Sequence, residues 1–253
     1  MKIRRAVESA VKIATASSLL LAGSQTMALE LGLGFEGSAN LGLTSDYMWR
    51  GISQTRNGVA VQGGLDLTHS SGFYLGTWLS NVDFKLAPKA HTEQDIYAGY
   101  GFTAGDFTFD LKYTKYIYDN ANALDFSETH AQVSYATDSI GTFAIGADYS
   151  NNTPVINTDS AFHYYGTYSY SLPAEVGLTA TVGQYDYKDA GWVGGTDSKY
   201  SYYNIGVTKE LFGVNVGLAY TDTNIDENNC KVFAGGDDYC GGTLVLSASK
   251  TFK

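Results

Sequence analysis

The stretch from Val59 to Val82 constrains the fold most strongly, because its hydrophobicity alternates with a period of two residues. Val61, Leu65 and Leu67 fall on one parity, whereas small or polar residues fall on the other. Successive side chains of a strand point to opposite faces, so this pattern predicts a strand with one apolar face. The sequence His-Ser-Ser-Gly at 69–72 is typical of a tight turn, and alternation resumes after it. We therefore interpret the stretch as a β-hairpin.

The same alternation recurs to the C-terminus and predicts twelve strands, with ten or fourteen left open. Their length of roughly ten residues suits tilted strands that cross a bilayer. Connections after odd-numbered strands are long and those after even-numbered strands are short. Outer-membrane barrels show the same difference, with long loops at one end and short turns at the other. The predicted strands lie at about 38–47, 59–68, 73–80, 95–103, 107–117, 128–135, 142–149, 162–170, 176–183, 202–208, 214–221 and 243–252.

The predicted fold class is therefore all-β, a transmembrane antiparallel up-and-down barrel. The 29 Gly and 20 Tyr against 3 Pro favour strands over helices. A barrel needs no long apolar run, because its alternation cancels in a running hydropathy average. The alternative is a soluble β protein in which the aromatic residues form an ordinary core.

The N-terminal segment 1–28 is predicted to be a secretory signal peptide, which leaves 29–253 as a single barrel domain. Ile13–Gly23 is a short apolar run, and Thr26-Met27-Ala28 has the small residues of a cleavage site. A single helical anchor is the alternative, although serines dilute the apolar run. The positive charges that precede the cleavage site are Lys2, Arg4, Arg5 and Lys12.

The chain from residue 29 onward is acidic, with 12 Lys and Arg against 25 Asp and Glu. Nucleic acid is not expected as a partner of such a chain. The expected partners are outer-membrane lipid and small hydrophilic solutes or ions, and the expected location is the bacterial outer membrane. No cofactor is predicted, and the oligomeric state stays open.

Cys230 and Cys240 lie close together in a loop rich in Asn, Asp and Gly. An exported chain meets an oxidising compartment, so we predict a disulfide between them. Two free thiols are the alternative. A metal site is not predicted, because no histidine lies nearby.

Two N-terminal motifs carry a resemblance to a known family. They are LTSDYMWRGISQT at Leu43–Thr55 and VQGGLDLTHSSGFYLGTWLSNVDF at Val61–Phe84. Over about 41–84 the chain resembles the TorF-type porins of proteobacteria. The resemblance implies an outer-membrane barrel and a pore, but it supplies no substrate and no binding residues.

The inward parity of the predicted strands is mostly acidic. Carboxylate-lined pores favour cations, so the sequence predicts a narrow, weakly cation-preferring channel with Lys112 as the main counter-charge. The alternative is that the acids pair with Lys112, or with one another through water, and only keep the interior polar. The predicted pore-lining residues are Asp46, Asp66, Asp95, Asp110, Lys112, Glu128 and Asp148.

Twelve strands give an interior between the filled eight-stranded barrels and the open sixteen-stranded ones. The long loop at 222–241 is a candidate for a constriction. Inward aromatic side chains are expected to narrow the passage further, namely Tyr74, Trp78, Tyr97, Tyr165 and Tyr202.

Two other function classes are compatible with a barrel. One is a plugged structural or adhesive barrel that displays its loops. The other is a barrel hydrolase, for which the strand histidines His130 and His163 are the candidates. His130 and Ser134 share a face but lie roughly 13 Å apart along one strand, so no nucleophile–base pair follows. The chain carries no GxSxG, HExxH or P-loop motif, and no catalytic residue is predicted.

Overall fold

The protein is a closed antiparallel β-barrel. The computed structural model describes residues 29–84, 89–151, 160–188, 198–236 and 238–253. The predicted signal peptide lies outside these residues. Within the described ranges, no helix has the length and apolarity to cross a membrane.

Twelve strands, β2 and β5 to β15, build the wall, and the sheet closes because β2 pairs with β5 on one side and β15 on the other. β1 folds back on the start of β2, and β3 and β4 form a separate hairpin. The elements are β1 (Leu29–Gly32), β2 (Phe35–Thr44), β3 (Met48–Trp49), β4 (Ile52–Ser53), β5 (Ala60–His69), β6 (Phe73–Asn81), β7 (Thr92–Ala104), β8 (Phe107–Tyr118), β9 (Phe126–Thr137), β10 (Gly141–Ser150), β11 (Ala161–Leu172), β12 (Val176–Asp186), β13 (Lys199–Leu211), β14 (Val214–Thr223), α1 (Glu227–Phe233) and β15 (Thr243–Phe252).

The predicted fold class and the count of twelve wall strands are confirmed, and so is the sorting of the connections. Turns of two or three residues join the wall strands at one end, for example at 105–106 and 212–213. Longer connections join them at the other end, from 119–125 up to 224–242. We call these the turn end and the loop end.

The first wall strand was predicted three residues too late, at 38–47 rather than 35–44. The segment 29–36, which precedes the predicted strand, contains β1 and the start of β2. Tyr47, the last residue of the predicted strand, lies outside the wall, because the chain leaves it after Thr44 and turns inward. Tyr47 is only 2% exposed and lies inside the barrel.

The outer surface is apolar in the middle and aromatic at both ends. Exposed aliphatic side chains such as Leu65, Leu111 and Leu246 occupy strand centres. Aromatic pairs flank them, with Phe102–Phe109 at the turn end and ring centroids 4.9 Å apart. Tyr149–Phe162, at 4.8 Å, is a pair at the loop end. This belt between two girdles is the surface that a barrel presents to lipid.

Inside the barrel, several tyrosine rings lie directly over a glycine of the neighbouring strand. Tyr165 is paired with Gly146, and Tyr202 with Gly183. A Cβ at Gly146 would come within 2.4 Å of the Tyr165 ring, and one at Gly183 within 2.4 Å of the Tyr202 ring. The glycines therefore provide the space in which large inward rings can lie flat against the wall.

The cost in stability of an arginine on the lipid face should depend on its depth in the membrane. Leu111→Arg, at the centre of β8, should lower the free energy of unfolding by about 2–4 kcal/mol, because it buries a charge near the bilayer midplane. Phe107→Arg, at the turn end of the same strand, should cost no more than about 1 kcal/mol. Urea unfolding in lipid vesicles measures both values. Equal costs at the two positions would contradict the assigned membrane depth.

The tyrosine–glycine packing predicts that the cost of an alanine substitution differs between two glycines. Gly146→Ala should cost about 1–3 kcal/mol, because its methyl group meets the Tyr165 ring and overpacks the wall. Gly166→Ala is the control on the lipid-facing side of the adjacent strand, where the nearest atom of a neighbour would lie 3.9 Å from the new Cβ. It should be close to neutral in the same unfolding measurement. A neutral Gly146→Ala would show that the ring moves aside freely.

Candidate functional site

The lumen has two different halves. At the turn end it is lined by small, polar side chains that are only half-buried, and at the loop end it is filled by buried side chains. The candidate site is this filled half, because any solute crossing the barrel has to pass it. Half-buried inward residues toward the turn end and the middle of the wall include Ser38, Asn40, Thr68, Ser134, Thr167, Thr179, Ser247 and Ser249.

A hairpin from the first long connection enters the loop half. β3 and β4 are joined by the two residues Arg50 and Gly51, which have φ values of 50° and 85°. Positive φ at both central residues is the conformation of a type I′ turn, which suits a tight two-residue hairpin. The turn therefore holds Arg50 at the tip of a short arm. We call this arm, Met48–Ser53, the inserted hairpin.

The tip of the inserted hairpin reaches the far wall. Arg50 donates from Nη1 and Nη2 to both carboxylate oxygens of Glu128, at 2.7 and 2.8 Å, and from Nη2 to Asp148 at 3.2 Å. Glu128 lies on β9 and Asp148 on β10, which stand about half a circuit of the sheet away from β2 and β5. The guanidinium group also lies over the rings of Trp49, at 4.3 Å, and Tyr185, at 4.7 Å.

Arg50 is only 8% exposed, and its two acidic partners are also buried. Charges in such a place need good geometry to offset their lost hydration, and a bidentate pair with a second carboxylate supplies it. Removing one partner of a buried pair typically costs about 3–5 kcal/mol, because the other charge is left alone. The ion cluster therefore fixes the position of the hairpin tip.

Asp148 also joins the two strand histidines. Nδ1 of His130 and Nδ1 of His163 each lie 2.7 Å from a carboxylate oxygen of Asp148. The three residues are direct cross-strand partners on β9, β10 and β11. Nε2 of His163 lies 2.9 Å from the hydroxyl of Tyr202. Asp148 thus links the wall histidines to the arginine of the inserted hairpin.

Trp49 gives the hairpin its apolar contacts. Its ring packs edge-on against Phe126, with centroids 6.2 Å apart, and against Tyr185, at 5.6 Å. These two aromatic residues belong to separate buried clusters on either side of the lumen. Trp49 contacts both clusters, so the hairpin bridges the interior rather than lining one wall.

The base of the hairpin is held by polar contacts within its own loop. Asp46 accepts hydrogen bonds from the hydroxyls of Ser53, at 2.7 Å, and Thr55, at 2.8 Å. Burial raises the pKa of the Asp46 carboxyl above its ordinary value, although the two hydroxyl groups favour the charged form. The phenol of Tyr47 donates to Glu93 on β7 at 2.7 Å. The loop is thus attached to the wall at its base as well as at its tip.

A second long loop packs against the hairpin. The predicted disulfide between Cys230 and Cys240 is confirmed, and both cysteines are fully buried. The backbone N–H of Ser53 donates to the carbonyl of Tyr239 at 2.8 Å. The loop at 222–241, the predicted candidate for a constriction, therefore contacts the inserted hairpin, which comes from a different connection.

The predicted pore-lining residues all lie on the inner side, but in different settings. Glu128 and Asp148 meet at Arg50, whereas Asp66 and Asp110 accept hydrogen bonds from the inward phenols of Tyr97 and Tyr74. Asp46 lies in the inserted loop and not on a strand. Lys112 and Asp95 are buried in the wall, and Oδ1 of Asp95 has no hydrogen-bond partner among the described residues.

Sequence reasoning missed Arg50, which the motif analysis left in a connection. Lys112, expected as the main counter-charge, forms no ion pair within 4 Å among the described residues, whereas Arg50 forms two. The local signal was Arg-Gly between Met-Trp and Ile-Ser, since a glycine in a two-residue connection suits a hairpin tip. The described residues contain no group of His, Cys, Asp and Glu arranged to hold a metal ion.

Solved structures with a similar fold are porins. One described as "KdgM porin" has a TM-score of 0.53 and 6% identity, with 85% of this chain and 98% of that chain covered. A second, of the NanC porin, has a TM-score of 0.54 and 10% identity, with 86% and 99% covered. At such identities the likeness shows the fold alone. Together with the lipid-facing belt, this fold agrees with the predicted location in the bacterial outer membrane.

A comparison with curated proteins finds no match. One family model does match, over residues 30–252, which is nearly the whole described barrel. The chain therefore belongs to the Gcw_chp family, described as a bacterial protein of unknown function.

Proposed function

We propose that this protein is a porin-like channel for the passive diffusion of small hydrophilic solutes across the outer membrane. The observation that carries the proposal is a closed twelve-stranded sheet with an apolar outside and a polar inside. Lipid requires every backbone group of a spanning segment to be paired, which the closed sheet achieves. The half-buried polar lining of the turn half suits water and hydrophilic solutes. The resemblance of residues 41–84 to TorF-type porins supports the same function.

We further propose that the channel prefers cations. The inner side carries Asp66, Glu93, Asp95 and Asp110 in addition to the two acids that Arg50 neutralises in part. Among the described wall strands, Lys112 is the cationic side chain that faces the lumen, and it takes no part in the ion pairs of Arg50. An excess of carboxylates raises the local concentration of cations in a narrow aqueous passage.

A plugged barrel that displays its loops is the second candidate, because the inserted hairpin bridges the lumen. A hydrolase is a weaker candidate. Both strand histidines bond to Asp148, and the hydroxyl that faces His163 is the phenol of Tyr202, a poor nucleophile when protonated. We propose a non-enzymatic role for this network, which is to position charges in the lumen. An assay of phospholipid hydrolysis by the purified barrel tests that point.

Swelling of liposomes that contain the purified protein tests the channel. We expect swelling with small sugars and amino acids and a decline in rate as solute size increases, because a twelve-stranded lumen is intermediate in width. Protein-free liposomes and heat-unfolded protein are the controls. Exclusion of every solute by correctly folded protein would contradict the channel and favour the plugged barrel.

Reversal potentials in a KCl gradient test the charge preference. Asp66→Asn, at a half-buried lumen position, should lower the cation-to-anion permeability ratio and Lys112→Met should raise it, each by about twofold, since salt and the other lumen charges reduce the effect of a single charge. Asp83→Asn, at the exposed loop end, is the control and should leave the ratio unchanged. Anion preference in the unmodified protein would overturn the proposed selectivity.

A further inference from the structure

We propose that the inserted hairpin is a movable constriction of the lumen, and that Arg50 is the residue that holds it across the passage and limits the size of the solutes that cross. This inference rests on the proposed channel function and deepens it. It assigns to Met48–Ser53 a role in selecting solutes by size and to Glu128 and Asp148 the role of its anchor on the far wall.

The first support is the placement of the contacts. The hairpin is covalently attached between β2 and β5, yet its tip forms hydrogen bonds with β9 and β10 on the opposite side. A loop that only decorated the barrel mouth would contact its neighbouring strands. This arm spans the lumen, so its position determines how much of the cross-section is open.

The second support is the kind of contact at the tip. The polar contacts of the hairpin tip with the far wall come from one charged group, which donates three hydrogen bonds to two carboxylates. Trp49 adds edge-on aromatic contacts, which carry no hydrogen bond. Its backbone ladder is confined to β3 and β4 themselves, with two residue pairs, and the hairpin adds no strand to the barrel sheet. The arm can therefore change position without breaking the closed wall.

The third support is the contrast between the two halves of the lumen. The half beyond the hairpin is lined by small polar residues such as Ser134, Thr179 and Ser249. Solutes that pass the hairpin meet this half-buried polar lining. We therefore place the constriction at the level of Trp49 and Arg50.

Arg56 provides a matched comparison within the same loop. It pairs with Asp83 at 3.3 Å, but both side chains are about half exposed, at 43% and 50%. It lies outside the buried cluster of the hairpin tip. A change at Arg56 removes the same charge from the same connection without touching the anchor in the lumen.

The test measures access to the turn half from outside the cell. Thr179→Cys adds an inward thiol there, and it is the only free thiol because both native cysteines are joined. The variant is placed in the outer membrane of a Gram-negative host, and whole cells are treated with a bulky membrane-impermeant maleimide. Arg50→Met or Arg56→Met is combined with it, and heat-modifiable gel mobility reports that each barrel is folded.

We expect Arg50→Met to raise the labelling rate about tenfold. This is the increase expected if the hairpin is open in about a tenth of the parent molecules and in nearly all molecules of the variant. Arg56→Met should label like the parent. Liposome swelling should show a larger size limit for Arg50→Met alone. Because that change removes the positive charge beside two buried acids, the variant Arg50→Met/Glu128→Gln/Asp148→Asn is measured as well, and it should behave in the same way.

Labelling at the parent rate in a folded Arg50→Met barrel, or in the folded triple variant if the single one does not fold, would overturn the constriction. So would equal acceleration by Arg56→Met. Swelling of the unmodified protein decides the channel function separately. A barrel that admits no solute when unmodified but labels rapidly after Arg50→Met would refute free diffusion and still support the constriction.

Discussion

Closure of the sheet is the constraint on which the rest of the structure depends. A spanning strand has no water to satisfy its backbone groups, so the first and last strands of the wall have to pair. β2 and β15 do so over six residue pairs, from Thr44 with Ser247 to Ala39 with Phe252. Once the wall is a ring, residues far apart in sequence face each other across one lumen. Arg50 can therefore meet Glu128 and Asp148, which lie 78 and 98 positions further along the chain.

The inner surface is built from two kinds of complementarity. Along the wall, large rings lie over glycines on the adjacent strand, as Tyr165 lies over Gly146. Across the lumen, an arginine matches a pair of carboxylates. The first kind fixes side-chain positions strand by strand, whereas the second joins distant parts of the ring. The fold thus combines a closed wall with an internal arm that is held at its tip and at its base.

The wall could be predicted from the sequence because alternation is a local property. The strand expected at 243–252 is found there, and that expected at 107–117 ends one residue later. Prediction failed where the chain leaves the wall. Tyr47 continues the apolar parity but turns inward, and the partners of Arg50 depend on ring closure, which no local pattern encodes. The contact of Asp148 with both histidines depends on the strand register across one turn and one long connection, which alternation alone leaves undefined.

The disulfide-bonded loop has a consequence for the base of the inserted hairpin. Tyr239 lies between Cys230 and Cys240 in the sequence, and its carbonyl accepts the backbone hydrogen bond from Ser53. Ile52 of the hairpin is buried in one cluster with Tyr239 and both cysteines. The cross-link therefore restricts the segment against which the hairpin base packs. Reduction of the disulfide would loosen that base together with the loop, which makes the order of the barrel interior depend on the redox state of the surroundings.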